Sequence, residues 1–207
     1  MCLRYFVITV LIAAINLAPA RARALVIVDE IEGFGVKDIE VVDGFAYVVS
    51  RKGLNRENPT LRILDVSNPT SPVEVGSFDN SVGAGDVEVV GGLAYITDHG
   101  YGSLRIIDVS DPTAPIEIGA FAAEFAPIDV EVVGELAFLA DQLRLPGSPC
   151  CGSALRVIDV SNPAAPVEVS ALPQTFIFDI GASEGIVYVA SFDLKVIDVS
   201  NPSAPGG

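Results

Sequence analysis

The chain has 207 residues, 27 of them acidic and 12 basic, for a formal charge of −15. That balance excludes nucleic acid as a partner, because neutralising phosphates takes clustered Lys and Arg, and it disfavours an anionic membrane surface for the same reason. Half of the residues are hydrophobic, which supports a buried core and rules out global disorder, and the length suits about one domain.

Residues 1–24 have the layout of a secretory signal peptide. Arg4 gives a positive start, Phe6 to Leu17 an apolar stretch, and Ala18-Pro19-Ala20 and Ala22-Arg23-Ala24 two small-x-small cleavage sites. The apolar run falls short of the ~20 residues of a membrane span, so cleavage is expected over anchoring. Cys2 precedes that run and is not placed for lipidation. Cleavage after Ala24 removes Arg4, Arg21 and Arg23 and no acid, which takes the net charge from −15 to −18. No other run is long and apolar enough to span a bilayer. The expected location is secreted, periplasmic or cell-surface, with the membrane met through the signal segment alone.

From residue 25 onward the chain repeats itself. One phrase occurs four times: LRILDVSNPTSP from 61, LRIIDVSDPTAP from 104, LRVIDVSNPAAP from 155 and LKVIDVSNPSAP from 194. A second precedes each: DIEVVDGFAYVV from 38, DVEVVGGLAYIT from 86, DVEVVGELAFLA from 129 and DIGASEGIVYVA from 179. A third, of the type PVEVGSF, follows the first three. The segments are short, rich in Val, Ile and aromatics, and bounded by Gly, Asn, Asp and Pro, which predicts strands. No amphipathic helix is predicted. One unit gives strands A (DVEVV), B (LAYIT), C (LRIID) and D (IEIGAF). Asp43-Gly44 or Gly91-Gly92 closes the A–B hairpin, and the DVSNPxxP phrase joins C to D. Four-stranded units every ~40–50 residues are the pattern of propeller blades.

The phrases LRILD, LRIID, LRVID and LKVID, each followed by VS[ND]P, resemble the LVIVD-repeat family of bacterial exported and surface proteins. The resemblance covers nearly all of 25–207 and implies an all-β propeller of four-stranded antiparallel blades. It carries over no catalytic activity. Leu25-Val26-Ile27-Val28-Asp29 starts 13 positions before Asp38, and the three strands D start 13, 13 and 12 positions before the next strand A, so 25–31 is expected to be a strand D. It would complete the fourth blade from the other end of the chain and close a four-bladed ring, which would be a monomer. The alternatives are a fragment, or half of an eight-bladed dimer.

In a propeller the B–C and D–A loops share one face. Here those loops vary strongly while the A–B and C–D turns barely change, so the B–C/D–A face is the expected working face. Its candidates are Arg51, Lys52 and Arg56 in loop 50–60, Asp98, His99 and Tyr101 in loop 98–103, and Arg144 in loop 141–154. The expected partner is a protein, small molecule or glycan. Asp38, Asp86, Asp129 and Asp179 begin the innermost strands on the same face. They fit either a Ca²⁺ site in the channel or bonds to backbone amides of the adjacent loop, the latter being favoured. The rival function is a metal-dependent hydrolase at the channel mouth, and a third is a structural surface or matrix component.

Arg62, Arg105, Arg156 and Lys195 in strand C, with Glu74, Glu117 and Glu168 in strand D, read as cross-strand pairs. Asp65, Asp108, Asp159 and Asp198 read as turn caps. Cys150 and Cys151 are adjacent in the longest loop. Export favours a vicinal disulfide there, with intermolecular pairing or a free pair as alternatives. Ser50, Asp98 and His99 do not make a hydrolase triad, since no nucleophile elbow is present. One His and a Cys pair lack zinc-site spacing, and neither a P-loop nor a dinucleotide fingerprint occurs.

Overall fold

The computed structural model describes residues 35–50, 60–79, 83–142, 153–174 and 176–203. These residues form fifteen strands and no helix. The expected signal peptide and the strand at 25–31 lie outside them, as do Arg51, Lys52, Arg56, Arg144, Cys150 and Cys151. The strands make four antiparallel sheets. The first holds β1 (Val36–Val42), β2 (Phe45–Ser50), β3 (Leu61–Asp65) and β4 (Val73–Phe78); the second holds β5 (Ala84–Val90), β6 (Leu93–Asp98), β7 (Ser103–Asp108) and β8 (Ile116–Ala122). The third holds β9 (Ala126–Val133), β10 (Leu136–Gln142), β11 (Ser153–Asp159) and β12 (Val167–Gln174); in the fourth, β13 (Asp179–Ser183), β14 (Ile186–Ala190) and β15 (Leu194–Asp198) are described. Each sheet follows chain order, as the A-B-C-D phrases require.

The turn chemistry explains why each unit folds alike. Asp43-Gly44 and Gly91-Gly92 both have positive φ at the two central positions, as does Glu184-Gly185. That is the geometry a two-residue hairpin needs to match strand twist. At the other connection, Asp65, Asp108, Asp159 and Asp198 each accept the backbone N–H two residues on, from Ser67, Ser110, Ser161 and Ser200, all at 2.9 Å. The following Val of every unit donates across to the hairpin carbonyl, from Val66 to Gly44, Val109 to Gly92, Val160 to Glu135 and Val199 to Gly185. These ends of the four sheets are therefore held by the same bonds.

Strand alternation gives each sheet a forward face, towards the next sheet in sequence, and a backward face. Tyr47, Val49, Leu61 and Ile63 pack forward on Val87, Val89, Ala94, Ile96 and Ile107 of the second sheet. Tyr95, Leu104 and Ile106 pack forward on Val130, Val132, Ala137, Leu139 and Ile158 of the third. Phe138, Ala140, Leu155 and Val157 pack forward on Ile180, Val187, Val189 and Ile197 of the fourth. The inner strands pack in the order β1, β5, β9, β13. This is blade-on-blade stacking, with one apolar layer per junction.

The junctions are also tight at their outer strands. A Cβ on Gly76 would stand 2.0 Å from the Pro112 carbonyl oxygen, and one on Gly119 would stand 2.0 Å from that of Pro163. In the third junction Ser170 takes this place and donates its hydroxyl to the Pro202 carbonyl at 2.6 Å. Gly119→Ala is expected to cost about 1–3 kcal/mol, because β8 must back away from the neighbouring turn. Urea denaturation checks this, and an unchanged midpoint would show that the approach is looser than drawn.

Candidate functional site

The first three inner strands carry Asp and Glu two residues apart, so both side chains leave the strand on one side. That side is the forward one. Asp38 accepts the backbone N–H of Val87 at 3.2 Å, Asp86 that of Val130 at 2.9 Å and Asp129 that of Ile180 at 2.6 Å. Glu40 accepts the N–H of Val89. Each acceptor thus serves the inner edge of the next sheet, whose amides have no neighbouring strand. The favoured expectation of amides in the adjacent loop is corrected in this respect: the partner is the next inner strand, more than forty residues on. Asp179, the fourth of the set, is exposed.

The row of carboxylates is electrostatically crowded. Burial pushes Asp86 up, helped by the charge of Asp129 and a hydrogen bond with Asp38, against the opposing bond from Val130. Burial also raises Asp129, against the bond from Ile180. Glu88 rises to about 7, first from burial and then from the charges of Glu40, Glu131, Asp129 and Asp38. Glu40 and Glu131 are raised by burial too, each partly offset by a bond from the next strand. Protonation of some members would relieve the repulsion. Among the described residues, no three His, Cys, Asp or Glu are gathered as a metal site would require.

At the loop ends of the sheets the chemistry differs from unit to unit. In the first sheet Arg62 pairs with Glu74 at 3.0 Å, and Thr60 donates to Asp79. In the second, Arg105 is buried between Glu117 and Asp98. In the third, buried Arg156 binds Asp141 at 2.7 Å, Glu168 at 2.6 Å and Glu124 at 2.8 Å, and its guanidinium lies 6.0 Å from the Phe125 ring centre. In the fourth, Lys195 donates to Gln174 at 2.6 Å. The cross-strand Arg–Glu pairs are as the sequence implies. The buried aspartates Asp98 and Asp141 behind them are not; the signal for them is an Asp at the end of strand B in two units only.

Asp98, expected on the binding face, is wholly buried. It accepts the N–H groups of Gly100 and Tyr101 at 2.8 and 3.3 Å, so it shapes the loop rather than meeting a ligand. His99 is half-buried, donates its N–H to the Gly83 carbonyl, and lays its ring over Gly85. Tyr101 is 65% exposed. Asp98 therefore fixes a turn whose tip presents Tyr101, the candidate of that loop left facing solvent.

The LVIVD repeat model matches residues 35–80, 83–123, 150–172 and 178–206. No curated protein matches the chain in sequence. Among solved structures, a functionally unknown protein from Desulfotomaculum acetoxidans aligns with 81% of this chain and 53% of its own, at 16% identity and a TM-score of 0.63. A Lactobacillus plantarum protein aligns with 78% of this chain and 52% of its own, at 16% identity and a TM-score of 0.61. The computationally designed Ika4 protein aligns with 81% of this chain and 91% of its own, at 9% identity and a TM-score of 0.56. The chain thus spans about half the length of the two natural proteins, and at these identities the likeness is one of fold. With four matches covering most of its length and four blade-like sheets in register with them, the chain belongs to the LVIVD repeat family, a β-propeller repeat.

Proposed function

We propose that this chain is an exported, non-catalytic β-propeller module that binds a protein or glycan through the loop ends of its sheets. One contrast carries the reading. The turn ends of all four sheets are held by the same aspartate and valine bonds, whereas towards the loop ends the strand C cation pairs with Glu74 in the first sheet, is buried on Asp98 or Asp141 in the second and third, and is Lys195 on Gln174 in the fourth. A rigid scaffold with one uniform and one diversified face presents recognition on the diversified one. Tyr101 is its foremost contact, an amphipathic ring at a turn pre-formed by Asp98, so little ordering is lost on binding. Export rests on the signal-peptide layout of residues 1–24.

The test is to immobilise the exported, processed chain and challenge it with a glycan array and with envelope protein extract. Tyr101→Ala is expected to abolish capture without moving the melting temperature, and Ile116→Ala at the turn end is expected to leave capture intact. Capture that survives Tyr101→Ala but fails with Ile116→Ala would move the binding surface to the other face. No capture at all would overturn the binding role.

A further inference from the structure

We propose that Tyr101 and Glu124 form a subsite for one lysine or arginine side chain of a protein partner. The proposal rests on the loop-end binding role argued above and names the chemistry that role would recognise. Tyr101 lies in the turn between β6 and β7, and Glu124 in the turn between β8 and β9. The two turns are joined backbone to backbone. Ala123 donates its N–H to the Gly102 carbonyl at 2.8 Å, and a Cβ on Gly102 would stand 2.5 Å from the Phe125 carbonyl oxygen. Contact is thus made on both sides of Glu124 and one residue from Tyr101. Each turn is also pinned by a wholly buried carboxylate: Asp98 accepts the Tyr101 N–H at 3.3 Å, and Asp141 the Phe125 N–H at 3.1 Å. The side chains themselves are open, Tyr101 to 65% and Glu124 to 67%. Both turns join strands of the second and third sheets, away from the ends of the chain.

Charge names the occupant. Arg156 is shared by three carboxylates, Glu124, Asp141 and Glu168, so the group holds more negative charge than its guanidinium balances. The shortfall is visible at Asp141, whose Oδ1 is buried without a hydrogen-bond partner. It is visible again at Glu124, which gives Arg156 only Oε2. Arg156 therefore fixes the Glu124 carboxylate in place, while Oε1 takes no hydrogen bond among the described residues.

A carboxylate held at one oxygen and open at the other, with an open aromatic ring on the adjoining turn, suits an ammonium or a guanidinium. Such a group donates a charge-assisted bond to Oε1 and packs its stem or its charge on the Tyr101 ring. A sugar hydroxyl can donate to the same oxygen, but it brings no charge to a group that lacks one. The net charge of −15 also draws cationic partners at long range. Because both turns are already bonded to each other and to buried acids, little freedom is lost when the subsite fills.

Arrays of short peptides and sugars, challenged with the exported and processed chain, test this. The probes are peptides containing lysine or arginine, the same peptides with acetyl-lysine or citrulline in those places, and neutral oligosaccharides. The basic peptides are expected to be captured, their uncharged counterparts are not, and added salt is expected to weaken capture. Glu124→Gln keeps an oxygen for Arg156 and removes the charge; it is expected to weaken capture about tenfold with an unchanged melting temperature. Tyr101→Phe is expected to retain capture and Tyr101→Ala to lose it. Glu135→Gln, the same change at an exposed turn-end position, is expected to have no effect. Equal losses from Glu135→Gln and Glu124→Gln would mean diffuse attraction by net charge and would overturn the subsite. Capture of oligosaccharides or uncharged peptides that is lost with Tyr101→Ala would overturn the cationic subsite and leave the loop-end role standing. No capture of any probe would overturn the subsite, and capture of envelope protein, compared between the parent chain and Tyr101→Ala, would still decide the wider role.

Discussion

Arg156→Met is expected to lower the unfolding free energy by about 3–5 kcal/mol, far more than the chemically identical change at Arg62. Burial by itself would lower the Arg156 pKa, but the bonds to Glu168, Asp141 and Glu124 outweigh that and hold it above the usual value. Asp141 is 0% exposed and accepts both Arg156 Nε and the Phe125 N–H on one oxygen. Its other oxygen already lacks a partner. Methionine would fill the aliphatic space of Arg156 but strand that buried carboxylate. Arg62 pairs instead with Glu74, a side chain 40% exposed, and pairs at such sites are worth about 0–1 kcal/mol. Urea midpoints of the two variants measure the contrast directly. Asp141→Leu added to Arg156→Met is expected to recover part of the loss, because it removes the charge the first change abandoned. Equal losses from Arg156→Met and Arg62→Met would show that water reaches Asp141 and that the cluster is a surface feature.

This contrast also marks how far the sequence could be read. The four sheets were legible because their information is local and repeated: alternating Val and Ile between Gly and Pro turns gives strands, and four copies of one unit confirm each other. The Arg–Glu pairs were legible for the same reason, as cross-strand neighbours within a unit. The burial of Arg105 and Arg156 was not, because it is decided by Asp98 and Asp141 and by loops that each unit has only once. The inner aspartates were recognised as amide acceptors, yet their partners were assigned to the wrong segment. Asp86 serves Val130 and Asp129 serves Ile180, contacts that exist only once neighbouring sheets have stacked. The two-residue spacing of Asp and Glu in DIEVV and DVEVV was the available signal. It places both acids on one side of the strand, and the forward side is where the next sheet's unpaired amides lie.

Those inner acids make stability fall as pH rises, which is opposite to the usual behaviour of a protein rich in carboxylates. Asp86, Asp129, Glu40, Glu88 and Glu131 all have folded-state pKa values raised above their ordinary ones. Between the ordinary values and the raised ones, the folded chain holds more protons than the unfolded chain. Their contribution is fully present below the ordinary carboxylate pKa and is lost as pH climbs through the folded values, about 7 for Glu88. The turn aspartates work the other way. Asp65, Asp108, Asp159 and Asp198 are held low by the hydroxyl and the N–H of the following serines, so their contribution is present above the ordinary value and lost in acid. The melting temperature is therefore expected to peak near pH 5 and to decline towards pH 8. Glu88→Gln is expected to flatten the alkaline limb and leave the acid limb in place. The gain at pH 8 is about 1–2 kcal/mol, after allowing for solvent screening of a half-buried group. Added salt is expected to flatten the same limb in the parent chain, since it screens like charges facing across the inner strands. Calorimetry from pH 4 to 9 reads all of this. A melting temperature that rises steadily to pH 8 would mean that the inner carboxylates are solvated and ionised, and that the bonds to Val87, Val130 and Ile180 are made without strain between their acceptors.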